Sequence, residues 1–291
     1  FVPTAVLGGG IIAALGDATQ KETLLSAVME GQLQLACGLY EADGRYNLAN
    51  VATSAKREGD EYLVSGEKIL VLNGAEAAQL LVSVRTAGDQ RDASGISVLL
   101  IDSSSAGVHK QEYTTVDGHR AAQIRFDNVR VPATNLLGSE GAALVAIEKA
   151  VDKATLCVSA EAVGALDTLL QKTVEYSKTR KQFGTAIATF QALQHRMADM
   201  FIECQLARSI VMMAAMKLDS DISADDKAKA VSAAKSRVGK AIRKVGQEAV
   251  QLHGGIGITN ELDVGHLFKR VTGIETLFGN TDFHTARFAQ K

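Results

Sequence analysis

Val231-Ser-Ala-Ala-Lys-Ser-Arg-Val-Gly-Lys-Ala-Ile-Arg-Lys-Val-Gly-Gln-Glu-Ala-Val-Gln-Leu252 is the stretch from which the fold is read. Val231, Ala234, Val238, Ala241, Ile242, Val245, Ala249 and Leu252 recur at steps of three and four, which lines one face of an α-helix. The lysines and arginines between them are left to the other face. Ser223-Ala-Asp-Asp226 precedes the run, and a serine there can accept from orphan backbone N–H groups at the helix start. From about Ala142 to the end there is no proline and little strand signal. Helices are expected at 142–178, 188–219, 223–252 and 261–277, which makes a four-helix bundle. Small pairs such as Ala214-Ala215 and Ala233-Ala234 let backbones approach closely, within the bundle or against a partner's.

Upstream of Pro132 the texture is different. Val51-Ala-Thr53, Tyr62-Leu-Val64, Ile69-Leu-Val71, Leu80–Val84, Ile96–Ile101, Ala122–Phe126 and Val129-Arg-Val131 are β-rich runs. Turn signals separate them: Glu58-Gly59-Asp60, Asn73-Gly74, Ser94-Gly95 and Asp117-Gly118. Short strands with no helix between them predict an antiparallel barrel or sandwich. Residues 1–36 read as helical, with breaks at Gly16-Asp17 and Gly31. The expected organisation is α+β: a helical remnant at 1–34, a β-domain at 35–138 and a helical bundle at 139–291.

Composition removes several classes of function. A formal net charge of -2 over 291 residues offers no polybasic surface for nucleic acid. No apolar run reaches membrane-spanning length, and the start lacks the basic region of a signal peptide. Cys37, Cys157 and Cys204 are odd in number, widely spaced and without metal spacing, so a reducing cytoplasm is expected. The histidines show neither metal nor triad spacing, and no metal site is expected. Phe1 is not an initiator methionine, so a processed or truncated piece is expected.

Two short stretches carry the chemistry. Arg180-Lys-Gln-Phe-Gly184 puts an arginine and a glutamine at one helix end, directly before a glycine turn. Gln251-Leu-His-Gly-Gly-Ile-Gly257 puts a glutamine and three glycines at another. The planar guanidinium fork suits phosphate oxygens, and glycines let a ligand come close to the backbone. The plain alternative for Arg180 is a solvated side chain near helix-terminal carbonyls. His253 reads as a packing residue in the turn rather than a base.

These stretches, with Phe190-Gln-Ala-Leu-Gln-His-Arg-Met-Ala-Asp-Met200 and Phe126-Asp-Asn-Val-Arg-Val-Pro132, resemble the acyl-CoA dehydrogenase family. The resemblance runs from about Ala5 to the C-terminus, and the family's leading helical domain is mostly missing from it. Family members are flavoenzymes that oxidise an acyl thioester at Cα–Cβ. In them the bundle mediates dimer and tetramer formation, and both motifs reach FAD held mainly by the neighbouring subunit. The resemblance implies that Arg180 contacts the FAD pyrophosphate, with Gln182, Phe183 and Gln191 beside it. Gln251 and Gly255 would line the ADP portion, and Thr281 is a further expected contact.

Three departures cut against an independent enzyme. The family's flavin loop, Thr-Glu-Pro-Gly-Ala-Gly-Ser-Asp, is here Tyr40-Glu-Ala-Asp-Gly-Arg-Tyr-Asn47, in which only Glu41 keeps its place. The Trp-Ile-Thr segment that packs on the flavin is Leu70-Val71-Leu72. The general base is missing: Gly279 stands at the common glutamate position, Ala154 at the alternative one, and Thr155 replaces a following arginine. Losing a positioned base typically costs about 10²–10⁴-fold in rate. Glu275 is the nearest carboxylate, read as an exposed helix-end residue and a weak substitute.

The leading expectation is therefore a non-catalytic subunit of a heteromeric FAD-dependent acyl-CoA dehydrogenase, similar to bacterial two-gene α2β2 enzymes, some acting on bulky steroid side-chain thioesters. A catalytic partner would supply the glutamate and hold most of the acyl-CoA, and an electron-acceptor flavoprotein would complete the system. The alternatives are a self-sufficient homomeric dehydrogenase with an unusual base, and a flavin-free structural or regulatory pseudoenzyme.

Overall fold

A π-helical turn at Val2–Gly8 leads into α1 (Gly9–Leu15) and α2 (Ala18–Met29) in the computed structural model, which describes residues 1–291. The break expected at Gly16-Asp17 is a capping box. Asp17 accepts from the Gln20 N–H at 2.7 Å, and the Gln20 side chain accepts from the Asp17 N–H at 3.0 Å.

The β-rich region forms β1 (Leu35–Gly38), β2 (Ser54–Glu58), β3 (Glu61–Leu72), β4 (Gln79–Arg85), β5 (Ile96–Asp102), β6 (Val108–Thr114), β7 (Arg120–Pro132) and β8 (Leu136–Leu137). They make one eight-stranded sheet in the order β6-β7-β3-β2-β4-β5-β8, with β1 laid on β4. The sheet is mixed rather than wholly antiparallel, because β1 runs parallel to β4, pairing Leu35 with Gln79 through Gly38 with Val82. Runs read as separate strands merge in β3 and β7. Register shifts between Val64 and Gly66, and between Lys68 and Val71, interrupt the alternation that the sequence reading relied on. Val51–Thr53 is not a strand; its Thr53 N–H and hydroxyl serve Glu41 instead. The expected turns at Gly59, Gly95 and Gly118 all adopt positive φ.

Contacts divide the chain into Phe1–Ala154 and Thr155–Lys291. The helical segment 1–34 lies within the first unit: the Thr4 hydroxyl donates to the Leu35 carbonyl at 3.0 Å. The first turns of α3 (Leu144–Thr179) belong there too, with Ala150 beside Gly10. Its core is the inner face of the sheet, including Tyr62, Val64, Leu80, Val82 and Leu99.

The second unit holds the rest of α3, a hairpin of β9 (Lys181–Gln182) and β10 (Thr185–Ala186), then α4 (Gln191–Asp219), α5 (Ala224–His253), α6 (Asp263–Thr276) and α7 (Thr281–Gln290). All eight periodic residues of α5 are buried, and the Ser223 hydroxyl accepts from the Asp226 N–H at 3.0 Å as its cap. α5 packs against α4, α6 and α7. Two corrections arise here. α7 was not expected from the sequence, and its start is capped by the Asn280 side chain, which accepts from the Phe283 N–H at 2.9 Å. Lys235 does not lie on the solvent face of α5 with the other cations but is 1% exposed.

Candidate functional site

The two chemistry-bearing stretches meet at one end of the helical unit. α3 stops at Thr179, and the Arg180 N–H still closes a helical bond to the Tyr176 carbonyl at 2.8 Å. The chain then turns back at once through the β9–β10 hairpin, whose tip residues Phe183 and Gly184 have φ of 52° and 82°. Both central residues in the left-handed region define a tight two-residue hairpin, and holding a non-glycine there costs about 1 kcal/mol. The strained Phe183 is 93% exposed, its ring meeting only Phe190 edge-on at 6.2 Å. Arg180, Gln182 and Gln191 are exposed as well.

α5 stops at His253, where Gly254 at φ 66° ends the helix and returns its N–H to the Gln251 and Val250 carbonyls. His253 is buried, its Nδ1 lies 2.8 Å from the Ala249 carbonyl, and its ring stacks on Tyr176 at 4.5 Å. It is the packing residue that the sequence reading expected. Tyr176 sits one turn before Arg180 and His253 two residues after Gln251, so this stack joins the motifs. Gln251 and Gly255 are exposed, and a Cβ on Gly255 would meet nothing within 4 Å. The fold does not itself require glycine at 255, since its φ is not positive. The resulting surface presents a guanidinium, amides, an aromatic ring and bare backbone.

The turn after α6 is arranged in the opposite sense. Lys235 Nζ donates to the carbonyls of Glu275 (2.9 Å) and Gly279 (2.6 Å), and burial lowers its pKa to about 8. Glu275 is 8% exposed, which corrects the expectation of an exposed helix-end residue. Its Oε1 accepts from Arg243 Nη2 (2.8 Å), the Thr281 hydroxyl (2.9 Å) and the Thr281 N–H (3.2 Å). Burial alone would raise the Glu275 pKa, but the bonds from Thr281 and Arg243 outweigh it and the net shift is downward. A carboxylate so stabilised is a poor proton acceptor. Thr281, an expected cofactor contact, is 4% exposed, and its hydroxyl donates to Glu275.

Gly279, at the expected base position, has φ 117°, and a Cβ there would lie 2.6 Å from His284 Nε2 and closer still to Phe283. The space is filled by neighbouring side chains. Ala154 and Thr155, at the alternative position, are fully buried. The sequence reading missed Tyr176, Lys235 and His284. Lys235 had left a signal: it falls four residues after Val231 and three before Val238, on the apolar face.

In the sheet unit, Glu41 is a structural pivot. Its oxygens accept from Lys68 Nζ (2.7 Å), the Thr53 hydroxyl (2.7 Å), and the N–H groups of Thr53 (3.0 Å) and Ala52 (2.7 Å). Burial lowers the Lys68 pKa to about 8 despite the opposing pull of Glu41. Leu70 is 36% exposed at φ 47°, an aliphatic side chain where the resemblance calls for a ring platform. Leu70, Val71 and Leu72 carry no hydroxyl that could donate to a ring's polar edge.

The chain matches the family models described as acyl-CoA dehydrogenase middle domain, over residues 36–129, and C-terminal domain, over residues 143–291. It is 29% identical to the probable acyl-CoA dehydrogenase YngJ of Bacillus subtilis, covering 100% of this chain and 77% of that protein. Among solved structures it is similar to butyryl-CoA dehydrogenase from Megasphaera elsdenii, with a TM-score of 0.92, 27% identity, and coverage of 99% of this chain and 76% of the other. A structure described as an FAD-dependent dehydrogenase gives a TM-score of 0.93 at 27% identity, covering 99% and 77%.

Proposed function

The chain belongs to the acyl-CoA dehydrogenase family, and on that premise we propose that it is a subunit that grips the FAD of a catalytic partner without supplying a base of its own. FAD, when bound, accepts the hydride that leaves Cβ of the acyl thioester. This chain's part is positioning. Arg180 would pair with the pyrophosphate oxygens through its planar fork, with Gln182, Phe183 and Gln191 beside it. Gln251 and the bare backbone at Gly255 would line the ADP portion. The partner would provide the carboxylate that takes the α-proton and hold most of the acyl-CoA. An electron-acceptor flavoprotein would reoxidise the system.

The observation that carries the proposal is position 279, where a positive-φ glycine is walled in by Phe283 and His284. A base has no room there, while Gly255 lies open to a molecule outside the chain. The reading in which Glu275 substitutes as base meets a carboxylate with three donors on one oxygen and a lowered pKa. Glu275→Gln is accordingly expected to leave dehydrogenation by the complex within about threefold, against the 10²–10⁴-fold loss of a true base. The assignment as a whole is tested by purifying the chain alone and with its partner, then measuring bound flavin and dye-linked dehydrogenation. Flavin and activity are expected in the complex only. Full flavin and activity in the lone chain would overturn the proposal.

A further inference from the structure

Arg180, Gln191 and Gln251 belong to three different helices: just past the end of α3, at the first residue of α4 and in the last turn of α5. Helix ends are the least constrained part of a helix, because their terminal backbone groups lack intrahelical partners. Three frayed ends would present three drifting side chains. Here each end is tied to the other two, within two turns of the exposed residue. The Tyr176 and His253 rings tie α3 to α5, their centroids 4.5 Å apart with 29° between the planes. His253 is the last residue of α5 and only 4% exposed. Its ring is itself held, with Nδ1 2.8 Å from the Ala249 carbonyl one turn back. Arg196 ties α4 to α5, its Nε donating to Glu248 Oε2. The other Glu248 oxygen lies 3.5 Å from Lys244 Nζ, so both are engaged inside the unit. α3 meets α4 where the buried Ser177 hydroxyl lies 3.5 Å from the Met197 thioether. Three ties between three helices close a triangle, in which no end moves without straining two of them.

We propose that Tyr176, His253, Arg196 and Glu248 are positioning residues, which hold Arg180, Gln191 and Gln251 at fixed separations for FAD. The inference rests on reading those three as FAD contacts, and it assigns what fixes them. None of the four has to touch the cofactor, and His253 is buried away from it. A charge-assisted bond from a guanidinium depends on its distance and on the plane of the fork. A shift of about 1 Å in a supporting residue is enough to weaken a preorganised site. Helix ends already in register also spare the ordering that binding would otherwise require. Stacked rings suit this use, because they set both the spacing and the tilt of the helices that carry them. Ties that served stability alone would act on folding and not through Arg180, and a double-mutant cycle separates the two roles.

The dissociation rate of FAD from the complex of this chain with its partner, followed by flavin fluorescence after dilution, tests the proposal. Tyr176→Ala is expected to raise that rate roughly tenfold, and Tyr176→Phe, which keeps the ring, less than about twofold. In an Arg180→Ala background the Tyr176→Ala effect should shrink to less than about threefold, because the residue being positioned is gone. Arg196→Ala gives a second variant should Tyr176→Ala disturb folding, since the Arg196 side chain is 38% exposed. It should raise the rate roughly fivefold, with Arg196→Lys restoring most of the loss. Equal Tyr176→Ala effects with and without Arg180 would overturn the proposal in favour of plain structural support. Release unchanged by Tyr176→Ala and Arg196→Ala, but faster in Arg180→Ala, would overturn it and leave the FAD reading standing. Unchanged release from Arg180→Ala itself would overturn the FAD reading and this inference with it.

Discussion

The end of α5 and its middle both rely on glycine, for opposite reasons. At the middle, Gly239 lies against the Thr281 hydroxyl, and in the facing turn between α6 and α7 Gly279 lies against Phe283 and His284, so added atoms would collide with the chain itself. At the end, Gly254 and Gly255 face open space, and at 255 not even backbone conformation calls for glycine. A crowded glycine is accounted for by its own fold. An uncrowded one with ordinary φ leaves room for a molecule outside it. The same division holds for polar groups: Lys235, Glu275, Thr281 and His284 spend their hydrogen bonds on one another's turns, while Arg180, Gln182 and Gln251 stand at the surface. The turn around Gly279 is a structural knot, and the surface proposed to meet a neighbour is open.

The largest effect is expected from forcing a base back into the knot. Gly279→Glu combines a side chain in a left-handed backbone region with displacement of Phe283 and His284. It should destabilise the helical unit by about 3–5 kcal/mol and confer no dehydrogenation on the lone chain, as read by urea denaturation and dye reduction. A stable, active Gly279→Glu chain would erase the contrast between the two regions.

The next effect follows from His284. Its Nε2 lies 3.1 Å from the Phe278 carbonyl and its Nδ1 3.3 Å from the Ser232 hydroxyl. Burial first, then the charge of Lys235, lower its pKa from 6.5 to about 3. The unfolded chain therefore takes up a proton below about pH 6.5 that the folded chain refuses until about pH 3. Stability is full above the first value and is lost as pH falls through this window, by about 2 kcal/mol between pH 6.5 and 5. His284→Gln should remove that part of the slope, seen by comparing urea midpoints at pH 7 and pH 5.

The smallest stability effect is expected at the open end. Gly255→Ala meets no neighbour within 4 Å and should shift stability by less than about 0.5 kcal/mol. The same methyl would stand where the cofactor is proposed to approach, so flavin retention by the complex should fall. A substitution silent in denaturation but visible in flavin content would sharpen the contrast.

Long-period patterns were the legible part of the fold. The α5 stripe, the Asp17 and Ser223 caps and the glycine turns all follow from local rules that the chain obeys. Legibility failed where a tertiary partner overrides the local signal. β3 and β7 read as broken because their bulges shift the alternation. α7 is ten residues long and its polar positions hid the turn-to-helix change, although Asn280 is a regular cap. Lys235 and Glu275 read as solvent residues because no pattern in sequence says that a cation will end on two carbonyls forty residues away. For the candidate site, spacing located the motifs, but only the Tyr176–His253 stack shows that they share one surface.

The proposed grip on FAD rests on Arg180. FAD content of the purified complex, measured after dialysis for the unaltered chain and for Arg180→Ala, tests it most directly. Loss of a charge-assisted pair to the pyrophosphate predicts at least a tenfold weaker hold on FAD, with assembly of the complex unchanged. Undiminished FAD in the Arg180→Ala complex would contradict the account.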